Sequence, residues 1–248
     1  MEKKNIFIIG GTSGIGRALA EYYLDLGCVV GVSGRRQALL DELKRVNPTR
    51  VFTYASDIKA LACADLIKSV HEDMGKIDII IICSGIGEIN ASLNAGPELD
   101  TVKTNVLGFT DAAIAAYNYF ERNLPKYGGQ GALAGISSIA SFRGSDLAPS
   151  YYASKAYVSN YLEGLRKKAL KNKLNLKVCT IIPGFVDTAM AKGVGGKEGL
   201  FWVAPADKAA RQIARAIAKN NAVTYITKRW RLIAWILKVL PDFVYNKI

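Results

Sequence analysis

Residues 6–20 read IFIIGGTSGIGRALA, and the argument for the fold starts there. Ile6, Phe7, Ile8 and Ile9 form an unbroken apolar run, the mark of a strand covered on both faces, because a half-exposed strand would alternate with polar residues. The run passes directly into Gly10, Gly11, Thr12, Ser13, Gly14, Ile15 and Gly16, and then into the helix-forming RALA. Strand, glycine-rich turn and helix in that order make an anion site. The glycines let the backbone approach a phosphate closely, and the free N–H groups of the first helical turn face it. Position decides the reading, since the same glycines elsewhere would make only a turn.

The alternation continues along the chain. Short apolar runs at 29–33, 51–54, 77–82, 131–136, 176–182 and 223–226 are separated by helix-period stretches beginning near 14, 37, 59, 97, 150 and 205. This is the pattern of βαβ units with right-handed crossovers. It predicts one α/β domain over 1–248, a doubly wound parallel sheet of about seven strands with helices on both faces. With 248 residues, half of them hydrophobic, the chain can bury a continuous core, and no linker-like stretch or repeat divides it. In such sheets ligands bind beyond the carboxyl ends of the strands, so the residues just after each strand are the informative ones.

Composition narrows the function classes. Cys28, Cys63, Cys83 and Cys179 form no C-x-x-C pair, which points away from a zinc ribbon or disulfide framework and towards a reducing, cytoplasmic setting. His71, the only histidine, lies in the polar stretch HEDMGK and reads as a solvated helix-end residue, so no histidine triad and no metal site are expected. The opening MEKKNIFIIG has too short an apolar run for a secretory signal, and the mature chain is expected to begin where the sequence does. The net charge of +12 leaves anionic partner, membrane surface and solubility open. The basic run at 166–177 reads as a solvated helix end without the interleaved aromatics of a nucleic-acid platform, and no nucleic-acid partner is expected.

The spacing in the first turn is G-x-x-x-G-x-G, not G-x-G-x-x-G. In this it resembles the short-chain dehydrogenase/reductase family, whose members have a Rossmann fold and bind a nicotinamide dinucleotide. The resemblance places Gly10, Thr12, Ser13, Gly14, Ile15 and Gly16 at the cofactor, with Ile9 where the family usually has threonine. The second strand runs through Ser33 into Arg35 and Arg36, with no carboxylate to bind a ribose diol. Two cations at the start of a helix oppose its dipole, and a 2′-phosphate held in a charge-assisted fork explains them, so NADP(H) is expected over NAD(H). Asp57 and Ile58 after the third strand resemble the family's adenine-contacting pair, and Asp57 also suits a helix N-cap. After the fourth strand, Ile82-Cys83-Ser84-Gly85 stands where many members have Asn-Asn-Ala-Gly. Ser84 and Gly85 remain expected cofactor contacts. The missing asparagine puts a strand-fixing hydrogen bond in doubt, and Cys83 reads as a buried, inert thiol.

The stretch SYYASKAY, 150–157, offers two tyrosines to one lysine. Tyr151 and Tyr152 precede Lys155 by four and three positions, and both spacings share a helix face. The lysine distance cannot choose between them. Family members have a serine about thirteen positions before the tyrosine, and Ser138 stands thirteen before Tyr151. The resemblance therefore makes Tyr151 the acid–base group, Ser138 the donor to the substrate oxygen, Lys155 both the charge that favours the phenolate and the ligand of the nicotinamide ribose, and Asn105 the holder of a water in the proton relay. Without the other three, Asn105 would read as a solvent-facing mid-helix residue. Tyr152, turned about 100° around the helix, is left to packing or the pocket wall. Pro183, Gly184, Val186 and Thr188 match the family's P-G-x-V-x-T segment, implied to hold the nicotinamide amide.

A lid is expected over about 187–204, with 200–203 (LFWV) as its apolar patch. The tail over about 228–248 joins basic and apolar residues, too short an apolar run to span a bilayer. It admits three readings: packing on the domain or a partner subunit, a wall of a hydrophobic site, or an interfacial anchor giving peripheral membrane contact. The expectation is an NADP(H)-dependent oxidoreductase, Tyr151 its acid and base, acting on a lipophilic carbonyl or alcohol, in a homodimer or homotetramer as the family implies. The alternative is a non-catalytic NADP(H)-binding sensor or scaffold on the same fold.

Overall fold

The computed structural model describes residues 3–189 and 202–245. Seven strands form one fully parallel sheet: β1 (Asn5–Ile9), β2 (Val29–Gly34), β3 (Val51–Ala55), β4 (Ile79–Ile82), β5 (Gly131–Ile136), β6 (Leu176–Pro183) and β7 (Val223–Ile226), in the order β3-β2-β1-β4-β5-β6-β7. The expected architecture is present.

Side-chain alternation along β1 divides the core. Ile6 and Ile8 point to the cluster beneath α1 (Gly14–Asp25), α2 (Gln37–Val46) and α7 (Ala206–Ala218), while Phe7 and Ile9 point to the cluster beneath α3 (Cys63–Met74), α5 (Phe109–Tyr127) and α6 (Pro149–Lys171). All four β1 side chains are buried, and each apolar side chain of that size gains about 1.5–3 kcal/mol on burial. The pattern of α1 follows from its sequence, since Gly16, Leu19, Ala20, Tyr23 and Leu24 recur on the face that meets the sheet.

The third crossover differs from the sequence expectation. A 3₁₀ turn, Ile58–Ala60, precedes α3, which starts at Cys63 with its N–H bonded to the Asp111 carboxylate. After α4 (Ala95–Val102) a π-helical turn, Lys103–Gly108, leads into α5, and this turn carries Asn105. The tail forms α8 (Trp230–Val239) and α9 (Asp242–Tyr245).

Two readings of single residues need correction. His71 is partly buried, not solvated, with Nδ1 3.2 Å from the Tyr119 hydroxyl and Nε2 3.4 Å from that of Tyr127. Arg166, taken with the solvated basic run, bonds the Val178 and Ala222 carbonyls and the Thr180 hydroxyl at 2.8–2.9 Å, tying α6 to β6. Both contacts join elements far apart in sequence, so a local charge pattern does not reveal them.

Candidate active site

The strand order reverses direction between β1 and β4, and the carboxyl ends of these two strands bound the main cleft. Backbone packing shapes this end. Gly10 has a φ of +87°, and a Cβ there would stand 2.5 Å from Ser84 N. A Cβ on Gly16 would stand 2.2 Å from Gly10 O, so the turn can fold back on its helix only without one. The Cys83 and Ser84 amides both bond Ile9 O, at 2.8 and 2.9 Å, which closes β4 onto β1 without the asparagine the sequence lacks.

From this turn the cleft continues past Arg35, Arg36, Asp57 and Ile58 at one end, and past Ser84, Gly85, Pro183, Gly184, Val186 and Thr188 towards the other. Its volume is about 400 Å³. Ser33 is buried beneath the turn, and its carbonyl accepts the Gly10 and Gly11 amides at 2.9 and 3.0 Å. Arg36 reaches back over the turn, donating to the Thr12 hydroxyl at 2.8 Å and the Ser13 hydroxyl at 2.6 Å. Arg35 is exposed, its guanidinium 4.0 Å from the Asp57 carboxylate. Asp57 also caps the 3₁₀ turn, accepting from Lys59 N at 3.0 Å.

Beyond β5 the proposed catalytic side chains converge. Ser138 is buried at the start of the 3₁₀ turn Ile139–Phe142 and accepts from Ala140 N at 3.2 Å. Ser137 is committed elsewhere, to the Lys155 carbonyl at 2.9 Å and the Ser159 hydroxyl at 2.7 Å. Packing thus separates two serines that are neighbours in sequence. Lys155 lies buried on α6 with its ammonium 5.6 Å from the Tyr151 ring centroid and 3.1 Å from the Ile136 carbonyl, to which it donates. Tyr152 meets Tyr151 edge to face, with centroids 6.0 Å apart, and lines the cleft.

Asn105 is buried, contrary to the solvent-facing alternative. Its Oδ1 accepts from Ile86 N at 2.9 Å, and its Nδ2 donates to Ile86 O at 2.7 Å and to the Ser154 hydroxyl at 3.0 Å. Ser154 in turn donates to Tyr151 O at 2.7 Å. A single side chain therefore fastens the loop after β4 to α6, from within a π-turn of the kind often found at functional sites.

The electrostatics overturn one expectation. Burial pushes the Tyr151 phenol above its ordinary pKa, hydrogen bonding to Ser138 acts against this, and Tyr152 adds to the rise. Lys155 is not among the causes that act on the phenol, and burial pulls the ammonium itself down to about 8, with Cys83 acting against the shift. Desolvation likewise pushes the half-buried Cys83 thiol up to about 12, consistent with an inert cysteine.

Sequence reasoning missed three participants. Gly87 lies against the Tyr151 ring, where a Cβ would stand 2.5 Å from Cδ2, and its neighbour Ile86 supplies the backbone for Asn105. The second glycine of SGIG was the available signal. Glu98 holds the start of α6, accepting from Ser150 N at 2.9 Å and from the Ser150 hydroxyl. Trp230 packs so closely on Gly184 that a Cβ there would overlap its ring at 1.9 Å. Of the expected lid, residues 190–201, including Leu200 and Phe201, lie outside the described residues. Val186 is buried and bridges to Ala204, while Trp202 and Val203 remain partly exposed.

The sequence also matches the family model described as short chain dehydrogenase over residues 4–199. The chain belongs to the short-chain dehydrogenase family. It is 28% identical over 200 residues to a Dictyostelium discoideum protein named dehydrogenase/reductase SDR family protein 7-like, covering 75% of this chain and 60% of that one. The family fold recurs in a Brucella melitensis 3-ketoacyl-(acyl-carrier-protein) reductase complexed with NADH, with TM-score 0.79, 20% identity, and coverage of 90% of this chain and 96% of that one. It recurs in ElxO with NADP bound, with TM-score 0.76, 19% identity, and coverage of 90% and 97%.

The cleft fits the family's dinucleotide. Gly10, Gly14 and Gly16 line the cleft at the N-terminus of α1, and the cleft continues from there to the tyrosine and lysine.

Proposed function

We propose that the protein is an NADP(H)-dependent oxidoreductase that interconverts a lipophilic carbonyl compound and the corresponding secondary alcohol. The observation that carries this reading is the convergence of Ser138, Tyr151 and Lys155 at one end of the cleft that passes over the glycine turn, with Asn105 bonded to Ser154 on the same helix. When bound, the dinucleotide supplies or accepts the hydride.

The remaining chemistry belongs to the chain. Gly10, Thr12, Ser13, Gly14, Ile15 and Gly16 hold the pyrophosphate through backbone and hydroxyl groups. Arg35 and Arg36 face the 2′-phosphate, and Asp57 and Ile58 the adenine, whereas Ser33, expected at the cofactor, is buried outside the cleft lining and only supports the turn through its carbonyl. Ser84, Gly85, Pro183, Gly184, Val186 and Thr188 flank the nicotinamide half. NADP(H) is favoured over NAD(H) by two cations at the end of β2 with no acid to bind a diol.

Ser138 donates to the substrate oxygen and stabilises charge as it builds. Tyr151 gives that oxygen its proton during reduction and removes it during oxidation. Its raised pKa keeps the phenol protonated at neutral pH, which suits the acid role and the reductive direction. Lys155 binds the nicotinamide ribose, while Asn105 supports the proton relay by fixing the loop at Ile86 beside α6.

A lipophilic substrate is supported by Ile86, Ile89, Leu147, Ala148 and Phe185, which line the cleft at this end. The four unpaired cysteines favour a cytoplasmic setting. A homodimer or homotetramer is supported by Leu99, Leu107 and Ile114, exposed along α4 to α5. The tail favours peripheral membrane contact.

NADPH absorbance, with NADH as comparison, tests the reading on carbonyl compounds graded by chain length. Tyr151→Phe is expected to lower turnover about 10²–10⁴-fold and to spare NADPH binding, with most activity kept in Tyr152→Phe. Undiminished turnover in Tyr151→Phe would exclude this mechanism. NADPH binding without turnover of any compound would favour a sensor or scaffold.

A further inference from the structure

The two sides of α8 have different surroundings. Trp230 and Ala234 are buried. On the outer side Leu232, Trp235, Ile236 and Val239 recur at helical spacing, with Phe243 on α9 beyond them, and they are 58, 62, 37, 58 and 70% exposed. Single exposed apolar residues are ordinary, but a continuous row with two large aromatics implies a partner. Lys228, Arg229 and Arg231 stand at the start of the row, and all three are exposed. The only carboxylate in 228–245 is Asp242, paired with Arg143 at 2.7 Å.

We propose that the outer face of α8 and α9 binds an anionic lipid surface, with the helix lying in the plane of the interface. Apolar and aromatic side chains enter the headgroup boundary while the cations meet anionic headgroups, the pattern of interfacial helices. No helix among the described residues is long and apolar enough to cross a membrane. A second copy of the chain fits less well, because a two-fold pairing would set Lys228, Arg229 and Arg231 near their own equivalents with no free acid among the described residues of this segment to offset them.

The buried side of this helix meets the site. Trp230 covers Gly184 after β6, the Lys238 ammonium stands 4.9 Å from the Phe142 ring centroid on the turn that follows Ser138, and Tyr245 donates to the Gly144 carbonyl at 2.7 Å. Ser145 and Leu147, just beyond, line the cleft. The lipid-binding helices thus hold one rim of the cleft, so a lipophilic substrate dissolved in the bilayer has a short path into it. This last step rests on the function proposed above, but the binding does not.

Flotation of the full chain with phosphatidylglycerol-containing vesicles, against pure phosphatidylcholine vesicles, tests the proposal. Binding is expected to the anionic vesicles, weakened by about 0.5 M salt, which shortens the screening length to a few ångströms. The double variants Trp235→Ser with Phe243→Ser, and Lys228→Glu with Arg231→Glu, are each expected to bind at least about tenfold more weakly. All these positions are exposed, so far-ultraviolet circular dichroism and turnover of a short, water-soluble carbonyl should be unchanged. Equal recovery on neutral and anionic vesicles, no binding to either, or variants that dissociate an oligomer and leave flotation unchanged would overturn the proposal. Vesicle binding by a protein that turns over no carbonyl compound would leave this inference standing and remove the proposed activity.

Discussion

The two ends of the cleft are built from different material. At the phosphate end the main chain makes the shape: Gly10 turns at positive φ, Gly16 lets the helix close on Gly10 O, and the Ser33 and Ile9 carbonyls fix the turn and the β4 end through amides. At the catalytic end side chains make it, and most are held by residues distant in sequence. Asn105 ties Ile86 to Ser154, Glu98 holds Ser150, and Trp230 lies on Gly184. The first end rests on main-chain bonds among β1, β2 and β4 and asks little of side chains beyond the glycines. The second needs the whole fold to be in place, so damage there should separate chemistry from cofactor affinity.

The largest expected effect is at Lys155. Replacing it with methionine should lower turnover about 10²–10⁴-fold, the range for losing a group in acid–base catalysis, while the protein becomes more stable. The sign follows from burial. The folded pKa of about 8 lies below the ordinary 10.5, so the unfolded chain binds more protons between those values. Native stability therefore rises with pH across that window, and below it the full cost of burying the ammonium applies. That cost is of order 3 kcal/mol, partly offset by the bond to Ile136. Thermal unfolding at pH 7 and pH 10 should show the stabilisation shrinking as pH rises. In the parent, turnover that depends on the ammonium should fall as pH rises through about 8, and full activity at pH 9.5 would argue against a charged Lys155.

A smaller effect, confined to the other end, is expected from Gly16→Ala. Its methyl must displace the Gly10 carbonyl, and overpacking of that kind costs about 1–3 kcal/mol, or roughly 10–100-fold in NADP(H) affinity. Titration of NADPH fluorescence measures it, and unchanged affinity would mean that the turn does not seat the pyrophosphate. Smaller still should be the binding change in Asn105→Ala, which takes the partners from the partly buried Ile86 backbone groups at about 1 kcal/mol of stability. Turnover should fall well beyond any change in NADPH affinity. Equal losses in both would erase the contrast between the two ends.

The legible parts of the sequence share a physical cause. Uninterrupted apolar runs such as Ile79–Ile82 announced buried parallel strands, and the G-x-x-x-G-x-G turn announced its own backbone path. The distinction between Ser137 and Ser138 came from a spacing to Tyr151, and the structure separates the two by their bonds, Ser137 being turned to α6. The bonds of Asn105 to Ile86 and Ser154 were not foreseeable, because they cross 19 and 49 positions of sequence. The rise of the Tyr151 pKa was misjudged for a related reason. A lysine four residues away is visible in the letters, whereas the desolvation of both groups is a property of everything packed around them.

By itself the sequence determined the parallel sheet and the glycine turn, and it singled out the tyrosine, serine and lysine of the proposed site, because periodicity and short spacings are encoded within a few residues. Only the tertiary structure decided how these groups are electrically tuned, which loop Asn105 secures, and that a tryptophan from the tail covers Gly184. Those outcomes depend on burial and on contacts between distant segments, and neither exists until the chain has closed on itself.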